Sequence, residues 1–213
     1  MKVRKFMEEM LSNPLYEILP IIQDRITKRN TWFGVKTQKH PYDFWIYQEI
    51  LWCLRPDYVI EIGNYMGGST LALAHICDLL GKGKIIGIDI NQKNIPSQVR
   101  EHPRITLMEG DACDLFEKVK NIVGDSFCIV IEDSSHTYDN TLKILRLYSQ
   151  IVKPGGYIII EDSICWHGLS LGPFPGPYEA IEVFLQENKD FEIDRDLEFP
   201  ITWNPKGYLL RIR

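Results

Sequence analysis

The chain has 213 residues, 45% of them hydrophobic and 25% charged, a composition that suits one globular domain with a sizeable core. Its formal net charge of -5 comes from 29 acidic and 24 basic residues spread along the chain, which excludes the basic stripe that nucleic-acid binding needs. No stretch is apolar for long enough to span a membrane, and five widely spaced cysteines suggest neither disulfides nor a zinc site, so we expect a cytoplasmic protein.

Two helices are predicted before the first strand, over residues 14–30 and 41–56, each broken or bounded by proline. Five apolar runs then alternate with helical patterns, which is typical of βαβ units and a mainly parallel sheet. The runs cover residues 58–63, 84–90, 105–111, 126–133 and 156–162, and the helices residues 67–81, 114–123, 138–152 and 178–187. Two further strands, over 190–199 and 207–213, are joined by a connection too short for a helical crossover, so they should pair antiparallel.

These elements predict an α/β fold with a doubly wound, seven-stranded, mostly parallel sheet and an antiparallel C-terminal strand. We assign residues 1–213 to a single domain. Within it, residues 1–55 form an N-terminal helical segment that packs on or caps the site, and residues 56–213 form the core. In such sheets ligands bind beyond the carboxyl ends of the strands, so the residues there are the first candidates.

The first predicted strand runs into the stretch EIGNYMGGST, which places three glycines at a strand-to-helix turn. Glycines there let a ligand approach backbone amides and the helix N-terminus. The spacing is not the GxGxxG of a dinucleotide site, and Glu61 would repel a pyrophosphate and attract an ammonium or sulfonium. Asp89, at the end of the second strand, is placed to accept hydrogen bonds from ribose hydroxyls, and Asp111, ending the third, could bind an adenine amino group.

Together these strand ends resemble the S-adenosylmethionine (SAM) site of class I methyltransferases. The resemblance implies a donor-binding set made of the first-strand acid, the glycine turn and the acids of the next two strands: Glu61, Gly63, Gly67, Gly68, Ser69, Asp89 and Asp111.

Three acids follow the fourth and fifth strands, which should be neighbours in the sheet: Asp133, Glu161 and Asp162. Hard oxygen donors without cysteine suit Mg²⁺, which could hold a substrate hydroxyl and lower its pKa. The arrangement resembles the metal-dependent O-methyltransferases of the catechol type, which implies these three acids as metal ligands. It also implies a catalytic site of Asp133 with a general base three residues later, where this chain has His136 and that family commonly has lysine.

Longer blocks resemble the cephalosporin hydroxylase and rhamnosyl O-methyltransferase family: DSSHTYDNTL, VKPGGYIIIEDS and TWNPKGYLLR. The resemblance implies a Mg²⁺-dependent SAM O-methyltransferase that acts on a hydroxyl of a sugar or small secondary metabolite and forms a homo-oligomer. The sequence shows no facial-triad spacing of two histidines and a carboxylate, the pattern that would indicate non-haem iron.

The loop over 163–177, rich in glycine and proline, is interpreted as a lid, and its His167 is a second candidate for the base. Two alternatives stay open from the residues alone. One is a non-catalytic SAM-binding partner protein in a tailoring pathway, and the other is a nicotinamide-dependent oxidoreductase on a similar sheet.

Overall fold

A computed structural model describes residues 10–198 and 201–213 of the chain. Its α-helices are α1 (Leu15–Arg29), α2 (Pro41–Leu54), α3 (Gly68–Leu80), α4 (Ser97–Arg100), α5 (Phe116–Val123), α6 (Tyr138–Tyr148) and α7 (Pro177–Glu187). Its strands are β1 (Thr31–Trp32), β2 (Val35–Lys36), β3 (Tyr58–Ile62), β4 (Lys84–Asp89), β5 (Ile105–Glu109), β6 (Cys128–Glu132), β7 (Tyr157–Ile160), β8 (Phe191–Ile193) and β9 (Tyr208–Arg211). A 3₁₀-helix covers Arg195–Leu197.

The main sheet has seven strands in the order β5-β4-β3-β6-β7-β9-β8. The first five strands in this order pair in parallel, whereas β9 is antiparallel to both β7 and β8. The predicted fold class is therefore confirmed, including the antiparallel pairing of the last two strands. Because β6 lies between β3 and β7, the acids predicted after the fourth and fifth strands end neighbouring strands.

Helices cover both faces of this sheet, which explains why its central strands are apolar without alternation. Every residue of β6 is buried, and so is every residue of β7. One core cluster packs α5, α6 and α7 on one face, and a second packs α2 and α3 on the other. The burial of both faces leaves the strand ends as the place where polar side chains of the sheet gather.

Several local features differ from the sequence predictions. A short hairpin of β1 and β2 and the one-turn helix α4 were not predicted. Helix α1 continues through Pro20, whereas the sequence predicted a break or a boundary at proline. Buried Leu19 and Ile26 anchor this helix on either side of Pro20, so packing outweighs the one lost hydrogen bond. The strand predicted over 190–199 is only the three residues of β8, and residue 199 lies outside the described residues.

Helix α2 is fixed by Asp43, a buried carboxylate that the sequence analysis did not single out. It accepts hydrogen bonds from the Trp203 backbone N–H at 2.8 Å, the Tyr208 hydroxyl at 2.9 Å and the Thr202 hydroxyl. These bonds join α2 to the start of β9 and to the segment before it. Across the described residues, no helix combines the length and apolarity that crossing a membrane requires.

Candidate active site

A cavity of about 460 Å³ opens at the carboxyl ends of the parallel strands. Its walls come from the ends of the parallel strands, from the end of β2 and the residues after it, and from side chains of helices α1, α3 and α6. The lining consists of Gln23, residues 36–39, 62–65, Ser69, 88–90, 110–112, 133–136, Asn140, Ile144 and Asp162. The cavity is thus where the strand-end rule for open α/β sheets places a ligand. Its volume lies in the range of sites for small molecules and cofactors.

Four of the predicted donor-binding residues line this cavity: Gly63, Ser69, Asp89 and Asp111. The Asp89 carboxylate accepts hydrogen bonds from the backbone N–H of Tyr65 at 2.8 Å and of Asn91 at 3.1 Å. Asp111 accepts one from the Cys113 backbone N–H at 2.7 Å. These bonds fix both carboxylates at the cavity wall while each oxygen keeps a lone pair for a ligand hydroxyl or amine.

The other three predicted donor residues lie behind the cavity wall. A Cβ on Gly67 would meet the Val99 side chain at 2.9 Å, and one on Gly68 would meet the Lys36 backbone oxygen at 2.3 Å. At both glycines, the space left by the missing side chain is therefore occupied by other atoms of the protein. Glu61 is fully buried, accepts a hydrogen bond from the Thr70 hydroxyl, and is also absent from the cavity lining.

Three residues present metal-binding atoms to one point: Asp133, His136 and Asp162, whose ligand atoms lie within 4.8 Å of one another. The His136 Nε2 atom is 3.3 Å from Asp162 Oδ2 and 3.7 Å from Asp133 Oδ1. Its Nδ1 atom is buried and has no hydrogen-bond partner among the described residues. Two carboxylates and open cavity space fit Mg²⁺, which binds few protein ligands and keeps several waters.

The buried side chain of Lys39 is the part of the site that the sequence analysis missed. Its ammonium donates hydrogen bonds to Asp133 Oδ2 and to Glu161 Oε1, and it lies 3.7 Å from Glu61 Oε1. The predicted ligand Glu161 therefore contacts Lys39 and, through it, the same Asp133 that faces His136. The ammonium occupies a cation-binding position between Asp133 and Glu161, which shows that these two carboxylates converge.

The charges of the cluster perturb one another strongly. Burial raises the pKa of Asp162, and burial together with Asp133 raises the pKa of Glu161 well above its usual value. Burial lowers the pKa of His136, but the charges of Asp162 and Asp133 outweigh it, so the net pKa is raised. A divalent cation would supply the positive charge that lets these buried carboxylates ionise together.

His167, the second candidate for the base, lies elsewhere. Its Nε2 atom is 2.6 Å from Glu179 Oε1, its ring stacks on Tyr178 at 3.7 Å, and it does not line the cavity. In the same loop Trp166 and Phe174 are exposed and contact each other edge to face. The geometry therefore favours His136 over His167 as the residue that reaches a ligand in the cavity.

The strand order, the cavity at the strand ends and the acids at the ends of β4, β5, β6 and β7 define a class I SAM-dependent methyltransferase. Comparisons with known proteins agree. The family described as Rhamnosyl O-methyltransferase/CmcI matches residues 24–212. A rhamnosyl O-methyltransferase of Mycobacterium tuberculosis is 33% identical over 194 residues, covering 86% of this chain and 78% of that one. One from Mycobacterium leprae is 32% identical over 192 residues, covering 85% and 82%.

Among solved structures, a CmcI structure described with Mg and SAM superposes with a TM-score of 0.69 at 26% identity, covering 86% of this chain and 77% of that one. The chain belongs to the rhamnosyl O-methyltransferase/CmcI family. This membership, predicted from the sequence blocks, is confirmed, and it favours an O-methyltransferase over the nicotinamide-dependent oxidoreductase.

Proposed function

We propose that this protein transfers a methyl group from SAM to a hydroxyl of a sugar, with Mg²⁺ bound beside the donor cavity. The observation that carries the proposal is the convergence of Asp133, His136 and Asp162 at the wall of a cavity lined by four of the predicted donor residues. The names of the mycobacterial relatives support a rhamnosyl acceptor, and the CmcI structure with Mg and SAM supports both cofactors.

In the donor half of the cavity, Asp89 would accept hydrogen bonds from the ribose hydroxyls of SAM and Asp111 would bind its adenine amino group. Gly63 and Ser69, which also belong to the cavity wall, would contact the remainder of the donor. Glu61, Gly67 and Gly68 support this wall from behind, since each is packed against protein atoms. The carboxylates at both ends of the wall favour a ligand that carries a positive charge over a pyrophosphate.

In the acceptor half, Asp133, Glu161 and Asp162 would hold Mg²⁺. When bound, the ion supplies a point of attachment for the acceptor hydroxyl and lowers its pKa, while SAM supplies the electrophilic methyl group. Lys39 neutralises part of the surrounding negative charge. His136 accepts the hydroxyl proton at Nε2, the ring nitrogen that faces both Asp133 and Asp162.

The test measures S-adenosylhomocysteine (SAH) release with a panel of rhamnosides, with and without EDTA. We expect activity that depends on Mg²⁺ and falls about 100-fold or more in Asp162→Asn. A bound metal ion supplies several kcal/mol of transition-state stabilisation, and a loss of about 2.7 kcal/mol corresponds to 100-fold in rate. Asp139→Asn is the matched control, since Asp139 is an exposed acid in the first turn of α6 outside the cavity. Turnover that is unchanged in EDTA and in Asp162→Asn would rule out the metal-dependent mechanism.

The role of His136 is separated from that of a metal ligand by calorimetric titration with Mg²⁺. A base can be removed without loss of the ion, so His136→Gln should keep Mg²⁺ affinity within a few-fold while turnover falls about 100-fold. Loss of Mg²⁺ binding in this variant would identify His136 as a ligand instead. The homo-oligomer and the cytoplasmic location expected from the sequence stay predictions.

A further inference from the structure

Lys39 joins three neighbouring strands of the sheet at the point where they end. Its ammonium contacts Asp133 after β6 and Glu161 after β7, and lies 3.7 Å from Glu61 of β3. The side chain is only 5% exposed, and the Oε1 atom of Glu61 has no hydrogen-bond partner among the described residues. The ammonium is thus the nearby positive charge for this buried carboxylate.

The backbone of Lys39 belongs to the N-terminal segment that follows the β1–β2 hairpin. Its carbonyl oxygen accepts a hydrogen bond from Asn30 Nδ2 at 3.1 Å, and the Thr37 N–H donates to the Asn30 carbonyl at 3.1 Å. Residues 36–39 form one wall of the donor cavity, and the hairpin backbone lies directly against Gly68 at the start of α3. The Lys39 side chain therefore ties this wall to the acidic cluster.

The two oxygens of Asp133 have different partners. Oδ2 accepts the hydrogen bond from Lys39, whereas Oδ1 is the oxygen that faces His136 Nε2 at 3.7 Å. Holding Oδ2 fixes the rotation of the carboxylate and leaves Oδ1 directed at the cluster where the ion is proposed to bind. A change at either oxygen is thereby transmitted to the other, because a carboxylate rotates as one rigid group.

We propose that Lys39 is a positioning residue that couples the metal cluster to the donor cavity. It orients Asp133 toward the ion and, with the same ammonium, holds residues 36–39 as the wall against which the donor binds. Mg²⁺ and the methyl donor then strengthen each other's binding, because each ligand orders a contact that the other one needs. This inference rests on the proposed function, since it assigns a residue to the same site.

The test uses the full chain and three variants: Lys39→Met, which keeps the length of the side chain without its charge, Lys39→Arg, and Lys82→Met as a control. Lys82 forms a surface ion pair with Asp57 at 3.1 Å and does not line the cavity. Calorimetry gives the affinity for SAH with and without Mg²⁺. Hydrogen exchange of the backbone amides of residues 36–39 in the ligand-free protein reports the state of the wall independently of activity.

In the unaltered protein, Mg²⁺ should raise SAH affinity by roughly 5-fold or more, the lower end of typical coupling between sites. In Lys39→Met this factor should fall to nearly one, and the amides of residues 36–39 should exchange about tenfold faster or more, since an ordering contact is lost. Lys39→Arg should restore part of both effects, and Lys82→Met should change neither.

A folded Lys39→Met variant with the unaltered coupling factor and unaltered exchange would overturn the assignment. Should Lys39→Met not fold, Glu161→Gln removes one charged partner of the ammonium and should speed the exchange of residues 36–39 in the ligand-free protein in smaller measure. The loss of a proposed metal ligand does not change that measurement, so unaltered exchange in this variant would equally overturn the assignment. If the unaltered protein binds both SAH and Mg²⁺ but Mg²⁺ does not change the affinity for SAH, the role of Lys39 is contradicted and the proposed function is not. If it binds neither, the proposed function is contradicted as well.

Discussion

Replacing Gly63 with alanine should damage the donor turn and the metal cluster together. Gly63 directly follows β3 and has a φ of +88°, a conformation that residues with a Cβ rarely adopt. A Cβ at this position would lie 2.0 Å from the backbone oxygen of Asp133, which is far inside van der Waals contact. Because the obstacle is backbone, the chain has to move, and the residue that moves carries the proposed metal ligand.

The magnitude follows from two costs. Left-handed φ costs an alanine about 1–2 kcal/mol. Forcing extra atoms into a packed site costs about 1–3 kcal/mol more. Gly155 isolates the first cost, because its φ is +85° and a Cβ there would meet no atom of the described residues within 4 Å.

We expect Gly63→Ala to lower the free energy of unfolding by about 2–5 kcal/mol, and Gly155→Ala by only about 1–2 kcal/mol. For a chain of this size, a loss of 1 kcal/mol corresponds to a melting temperature lower by about 2–4 °C. Urea unfolding followed by circular dichroism measures both variants, and calorimetry measures the Mg²⁺ affinity of those that fold. Equal losses in the two variants, or full Mg²⁺ affinity in Gly63→Ala, would refute the link between the donor turn and Asp133.

Three further predictions concern stability, pH and thiol reactivity. Asp43→Ala should cost about 3 kcal/mol of unfolding free energy in a urea titration, since it leaves buried donors unpaired; a loss below about 1 kcal/mol would contradict this. Without metal, the raised pKa of His136 beside Asp162 adds stability at pH values below the unfolded pKa and loses it as the pH rises through the folded pKa. The stability advantage of the unaltered protein over His136→Gln in EDTA should therefore be larger at pH 6 than at pH 9, and an equal advantage at both refutes it. Cys53 is exposed, whereas burial raises the pKa of Cys77 to about 11, so a thiol reagent at pH 8 should label Cys53 first by mass spectrometry, and the reverse order would contradict the burial of Cys77.

The acids of the site were predictable because of how parallel sheets are built. All parallel strands end at one edge, so Asp89, Asp111, Asp133 and Asp162 had to gather there once the strands were recognised from their apolar runs. The number of residues between these acids does not by itself predict that they lie close together in space. What the sequence alone could not provide was the identity of the positive charge that keeps such a concentration of carboxylates together.

Lys39 was missed because no local pattern distinguishes it. It lies in a short segment without helical or strand periodicity, and it is 94 positions from Asp133 and 122 from Glu161 along the chain. The only available signal was electrostatic: buried carboxylates at one sheet edge need a cation, and the segment before α2 contains a lysine. The donor-binding role of Gly68 stays a prediction, although the Lys36 carbonyl oxygen lies where a side chain at this position would be.

The backbone conformation at the proposed metal centre is a second indication, besides the side chains, that these residues form a functional site. His136 and Asp162 both have a φ of 55°, in the left-handed region that residues with a side chain rarely occupy. Each such residue costs about 1–2 kcal/mol, so surrounding contacts must hold it there. For Asp162, one such contact is the hydrogen bond from its backbone N–H to Asn204 Oδ1 at 3.1 Å. These two unfavourable conformations lie on separate loops and bring the two side chains to 3.3 Å from each other. Neither the pairing of the strands nor the packing of the core explains this conformational cost. The proposed site, in which the metal ligand Asp162 and the base His136 must lie side by side, explains both.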